Sequence, residues 1–112
     1  MSVHIECKGK TILHVKNVTC EMLYQSILKI VDKSRIFLSE DIQKLIEELE
    51  QAGYGIGCDI ADFIKGKNDA IIFASLTREA IDLYKIEIPS LPTEAKERLE
   101  NFYQELLKYA YE

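Results

Sequence analysis

No tryptophan occurs in this chain, and it has only two histidines, two prolines and three cysteines. Cys7, Cys20 and Cys58 are an odd number at long, irregular spacings. That pattern suits neither a disulfide framework nor the paired ligands of a zinc site, and free thiols in a reducing compartment are expected. No stretch approaches the roughly 20 apolar residues of a membrane span, and the start MSVHIECKGK lacks the long apolar run of a secretion signal. The protein is therefore expected in the cytosol, without a membrane role. A basic stripe able to neutralise phosphates is also missing, so direct nucleic-acid binding is not expected. There is no internal repeat and no low-complexity segment.

What is present is enough for one domain. With 112 residues, 47% of them hydrophobic, the chain can bury a single core without staples. Its net charge is −5, from 14 basic and 19 acidic residues, and the distribution is uneven. Residues 1–20 carry three lysines and one glutamate, for +2, whereas SEDIQKLIEELEQ (39–51) carries five acids against Lys44, for −4. Such a run is either a solvated helix face or a surface for a basic partner.

The predicted architecture is α+β and mainly α: an N-terminal β-hairpin (1–17) packed on a bundle of about five helices (18–112). In VHIECKGKTILHV (3–15) two alternating runs flank Lys8-Gly9-Lys10. Val3, Ile5 and Cys7 share one face, Ile12 falls with His14, and Leu13 and Val15 take the other, with Gly9 at the turn. From Thr19, a candidate N-cap, the period becomes helical through Met22, Leu23, Ile27, Ile30 and Val31. Ser39 opens the next helix, whose stripe is Ile42, Leu45, Ile46, Leu49 and Ala52, with Glu40 and Asp41 favourably placed at its positive end. The segment 70–76 reads equally as a buried strand. Ile72, Leu76, Ala80 and Leu83, however, continue one stripe without a breaker, so a single long helix is predicted. After IPSLP the final helix begins at Ser90 or Thr93 and buries Ala95, Leu99, Phe102, Leu106 and Ala110.

QAGYGIGCDIADF (51–63) concentrates three glycines, a cysteine and two aspartates. A dinucleotide-binding turn requires a strand before its glycines and a helix after, whereas here a helix precedes and the spacing is G-x-G-x-G. The stretch reads instead as a helix junction. Gly53 closes one helix, Gly55 and Gly57 permit a tight turn, at least one glycine takes positive φ, and Asp59 caps a short helix burying Ile60, Phe63 and Ile64. Cys58 at a helix start is the best candidate nucleophile, but no motif brings a base to it. His4, His14 and Cys7 lack the short ligand pairs of a metal site and read as ordinary strand residues. Asp59 and Asp62 read as a cap and a first-turn acid rather than a catalytic carboxylate pair. No catalytic residue, metal site or cofactor is predicted. Of the six tyrosines, Tyr103, Tyr109 and Tyr111 crowd the terminal helix, where some must leave the core stripe.

The words QAGYGIGCDIADFI (51–64), NDAIIFASLTREAIDLY (68–84) and IPSLPTEAKERLENFYQELLKYA (88–110) resemble a family of small bacterial immunity proteins that accompany polymorphic toxins, including contact-dependent growth inhibition systems. The likeness runs from about Ser39 to Tyr109 and rests on a glycine-containing junction followed by D-I-x-D-F, and on a last helix with E-R-L-x-N-F-Y-x-E-L. It implies a strand region followed by helices and a protein that is no enzyme. Such a protein neutralises a cognate toxin, here a basic nuclease domain, by occluding its active site or substrate groove. On that reading the partner-binding residues are Asp41, Glu47, Glu48 and Glu50, with Tyr54, Asp59 and Asp62. Two other readings stay open: a cytosolic regulatory adaptor binding through its tyrosine-bearing terminal helix, and a small cysteine-dependent enzyme using Cys58.

Overall fold

The computed structural model describes residues 2–35, 37–52 and 57–112. Strands β1 (Ser2–Cys7) and β2 (Lys10–Lys16) form an antiparallel hairpin, followed by helices α1 (Asn17–Ser34) and α2 (Glu40–Ala52). The two-residue strand β3 (Cys58–Asp59), the four-residue helix α3 (Ile60–Phe63) and the long helices α4 (Lys67–Glu87) and α5 (Thr93–Tyr111) complete the order. The fold is α+β and mainly α, with five helices among the described residues, as the periodicities predict. Segment 70–76 is helical, inside α4, and α5 starts at Thr93 behind Pro92.

Among the described residues the sheet has three strands in the order β2-β1-β3, with β3 parallel to β1. The hairpin turn is Lys8-Gly9, both at positive φ (54° and 79°), the twist a two-residue loop needs between right-twisted strands. Ile5 faces Leu13, but Glu6 faces Thr11, so Ile12 is an extra residue opposite none. This bulge corrects the simple alternation: Leu13 and Val15 do lie on the core face with Ile5 and Val3, but Ile12 is buried too instead of sharing the outer face with His14. Thr19 is not a cap. The strand passes straight into α1 at Asn17, Lys16 takes the N-cap position, and Thr19 is buried in the first turn.

Packing follows the stripes. Leu23 and Ile27 of α1, all five predicted residues of α2, Phe73, Leu76, Ala80 and Ile81 of α4, and Leu99, Phe102, Leu106 and Ala110 of α5 join the inner face of the sheet in one buried apolar cluster. α1 closes at Arg35, whose backbone is left-handed (φ 52°) and whose N–H donates to the Val31 carbonyl at 3.0 Å. Ser39 caps α2 as expected, its Oγ accepting from the Ile42 N–H at 3.2 Å and donating to Asp69 Oδ2 at 2.8 Å. The roles assigned to Gly53 and Gly55 fall outside the described residues. Gly57 is described, and close approach rather than positive φ fixes it: a Cβ there would stand 2.5 Å from the His4 carbonyl oxygen.

Candidate partner surface

Helix α2 carries a fully buried apolar stripe, so its charges are confined to the remaining faces. Asp41, Glu47 and Glu50 are exposed and Glu48 is half-buried. One ion pair lies on this helix, Lys44 with Glu40 at 3.2 Å, and Asp41, Glu47, Glu48 and Glu50 have no cationic partner among the described residues. Tyr24 of α1 borders the same face and donates its hydroxyl to Glu50 at 3.2 Å. Partial burial pushes its phenol pKa up, and the carboxylates of Glu50 and Glu47 add to the rise. Just ahead of the helix, Phe37 is 92% exposed. Neither Tyr24 nor Phe37 was singled out by periodicity, because Tyr24 falls inside a helix counted as core and Phe37 in the break between two helices.

Around the corner of α2 lies a shallow hollow of about 390 Å³ lined by His4, Glu6, Gly57, Cys58, Asp59 and Asp62. Pairing of β3 with β1, which sets Ile5 opposite Cys58 and Glu6 opposite Asp59, assembles it. Asp62 is exposed. Asp59 is committed to the backbone: its carboxylate accepts from the N–H groups of Ala61 (2.9 Å), Gly9 (2.9 Å) and Lys8 (3.1 Å). It caps α3 as expected and also ties that helix to the hairpin turn some fifty residues away, which the sequence did not indicate. Tyr54 lies outside the described residues.

Cys58 shares this hollow with His4, a neighbour that linear spacing did not suggest. The Cys58 thiol is half-buried. Burial, with Cys20 and the carboxylates of Glu48, Asp59 and Asp62 nearby, pushes its pKa up to about 12, so it stays protonated near neutrality. Among the described residues no hydrogen bond joins it to a histidine. His4 and His14 face one another across the hairpin with stacked rings, centroids 4.0 Å apart, on the outer face of the sheet. Cys7 sits on the opposite, buried face, and among the described residues no three potential ligands converge to hold a metal ion.

The tyrosines of α5 are largely engaged. Tyr109 donates its hydroxyl to the Ile64 carbonyl and Tyr103 lies under the Arg78 guanidinium, 4.8 Å from its ring centre, leaving Tyr111 exposed. Arg78 also joins α4 to α5 through Glu100, which Lys85 contacts as well. Hydrogen bonds from these two cations hold the Glu100 carboxyl down at about 2. Among the described residues no helix is long and apolar enough to cross a membrane. No family model, curated protein or solved structure matches the chain.

Proposed function

We propose that this protein is a non-enzymatic binding module of the immunity type, which neutralises a toxin in the cytosol by occupying its active site or substrate groove with the acidic face of α2. The observation that carries the reading is that Asp41, Glu47, Glu48 and Glu50 form no ion pair among the described residues, while α4 and α5 are laced by ion pairs. Unpaired carboxylates set on a rigid, capped helix present a field that a basic nuclease groove complements, much as phosphates would. The resemblance over residues 39–109 points to the same role. The protonated thiol of Cys58 speaks against the enzyme alternative, and with Tyr103 and Tyr109 engaged within the fold the adaptor alternative is left with exposed Tyr111 on α5.

Affinity capture from the native cell with tagged full-length protein, followed by mass spectrometry, tests the proposal. The expected partner is a basic toxin domain recovered at one-to-one stoichiometry, whose expression arrests growth unless this protein is co-expressed. Recovery of a non-toxic regulatory protein, with no rescue of any co-captured toxin, overturns it.

A further inference from the structure

A groove of about 480 Å³ opens where β2 runs into α1, bounded by the end of α4 and by the connection from α4 to α5. Its volume lies in the range of small-molecule sites, roughly 300–1,000 Å³. The wall is apolar, formed by Val15, Val18, Met22, Ile88, Leu91 and Ala95. Val15 and Leu91 belong to the buried core, whereas Val18 is 60% exposed. Water therefore lies against a continuous apolar surface that the fold itself does not cover. The edge is stiff: Pro89 and Pro92 restrict the connection, and the Leu91 N–H donates to the Ile88 carbonyl at 3.0 Å. Thr19 and Tyr84, both buried, also line the groove.

Charge decides what kind of molecule fits. Among the described residues, three charged ones line the groove: Lys16, Glu94 and Arg98. Arg98 is paired with Glu94 and also donates to the His14 carbonyl at 3.0 Å, so these two neutralise one another. Lys16 has no ion-pair partner among the described residues. On a chain of net charge −5, the apolar groove thus carries one uncompensated positive charge at its edge. An apolar tail is desolvated by the wall and an anionic head is attracted by Lys16, whereas a cationic head is repelled.

We propose that this groove binds an amphipathic anion, a linear acyl chain lying along the apolar wall with its carboxylate at Lys16. The site is separate from the acidic face of α2, and its occupancy does not depend on the toxin partner.

Dodecanoate, dodecanol and dodecylamine, each kept below its micellar concentration, are titrated into the full chain and followed by amide NMR shifts and calorimetry. The expected result is saturable one-to-one binding of dodecanoate, with shifts confined to residues such as Val18, Thr19, Ile88 and Ala95. Lys16 is exposed, so Lys16→Glu should remain folded and weaken dodecanoate binding about tenfold while leaving dodecanol unchanged. Ala95→Phe, which fills the groove, should abolish binding of both. No saturable shifts, shifts centred elsewhere, or equal affinity for dodecanoate and dodecylamine overturns the proposal. Should Ala95→Phe fail to fold, the Lys16→Glu comparison still decides.

Discussion

Asp59 carries more of the fold than any other charged residue near the candidate surface, because one carboxylate serves three backbone N–H groups drawn from the hairpin turn and from α3. Asp59→Ala should therefore lower stability by about 2–3 kcal/mol, the sum of a lost helix cap and charge-assisted bonds to two further amides. Asp62→Ala, three residues on and exposed, should change it by less than about 0.5 kcal/mol. Urea unfolding midpoints of the two variants check the contrast, and equal losses would mean that Asp59 is only a local cap. Gly57→Ala is expected to cost roughly 1–3 kcal/mol, since its Cβ would meet the His4 carbonyl oxygen at 2.5 Å and that oxygen belongs to strand backbone that cannot swing away. A parent-like melting temperature for Gly57→Ala would show that β3 can move off β1 at little cost. The cap was legible in the sequence because Asp-Ile-Ala-Asp is a local pattern. The bond to the turn was not, since nothing local connects residue 59 to residues 8 and 9. The same limit hid the proximity of His4 to Cys58.

Among elements, the long helices were legible and the short pieces were not. Every predicted apolar position of α2 is buried, and the unbroken stripe through residues 70–83 correctly favoured a helix over a strand. β3 has two residues, too few to show a period, and the bulge at Ile12 inverts the expected side of one residue without leaving a mark such as glycine. The clamp between α4 and α5 was also missed, because Arg78, Lys85 and Glu100 are unremarkable surface positions until two helices are docked. This clamp has a pH signature. The Glu100 carboxyl titrates at about 2 in the folded protein, below its ordinary 4.5, so its contribution is complete above the unfolded value and is lost as pH falls from about 4.5 towards 2. The full shift would correspond to roughly 3 kcal/mol. With the Glu100 side chain 38% exposed, solvent screening should reduce this to about 1 kcal/mol. Glu100→Gln should accordingly be less stable than the parent at pH 7 and nearly equal to it at pH 2. A constant difference across that range, measured by chemical denaturation, would show that the carboxylate acts through packing rather than charge.

At the scale of the whole molecule, charge is sorted by whether it is paired. Carboxylates on α5 such as Glu94, Glu100 and Glu105 meet lysine or arginine, whereas among the described residues those singled out on α2 do not. The sequence revealed the acidic run at 39–51 but not this difference, because pairing depends on which helices are neighbours. Tyr24 joins the acidic face for the same reason. If α2 meets a basic partner, its unpaired acids act mainly before contact, by raising the rate of productive encounter. Association should therefore slow as salt rises, with the steepest change below physiological ionic strength, where the screening length exceeds about 8 Å. Dissociation should change less. The triple reversal Glu47→Lys, Glu48→Lys and Glu50→Lys should cut the association rate at low salt by at least tenfold and flatten or reverse its salt dependence. Helix content should persist, because all three positions lie outside the buried stripe. Stopped-flow association with the captured partner, for parent and variant across a salt series, measures this directly. An unchanged rate at low salt would leave these acids as a solvated face and move the contact to another part of the surface, with exposed Tyr111 on α5 the first position to test.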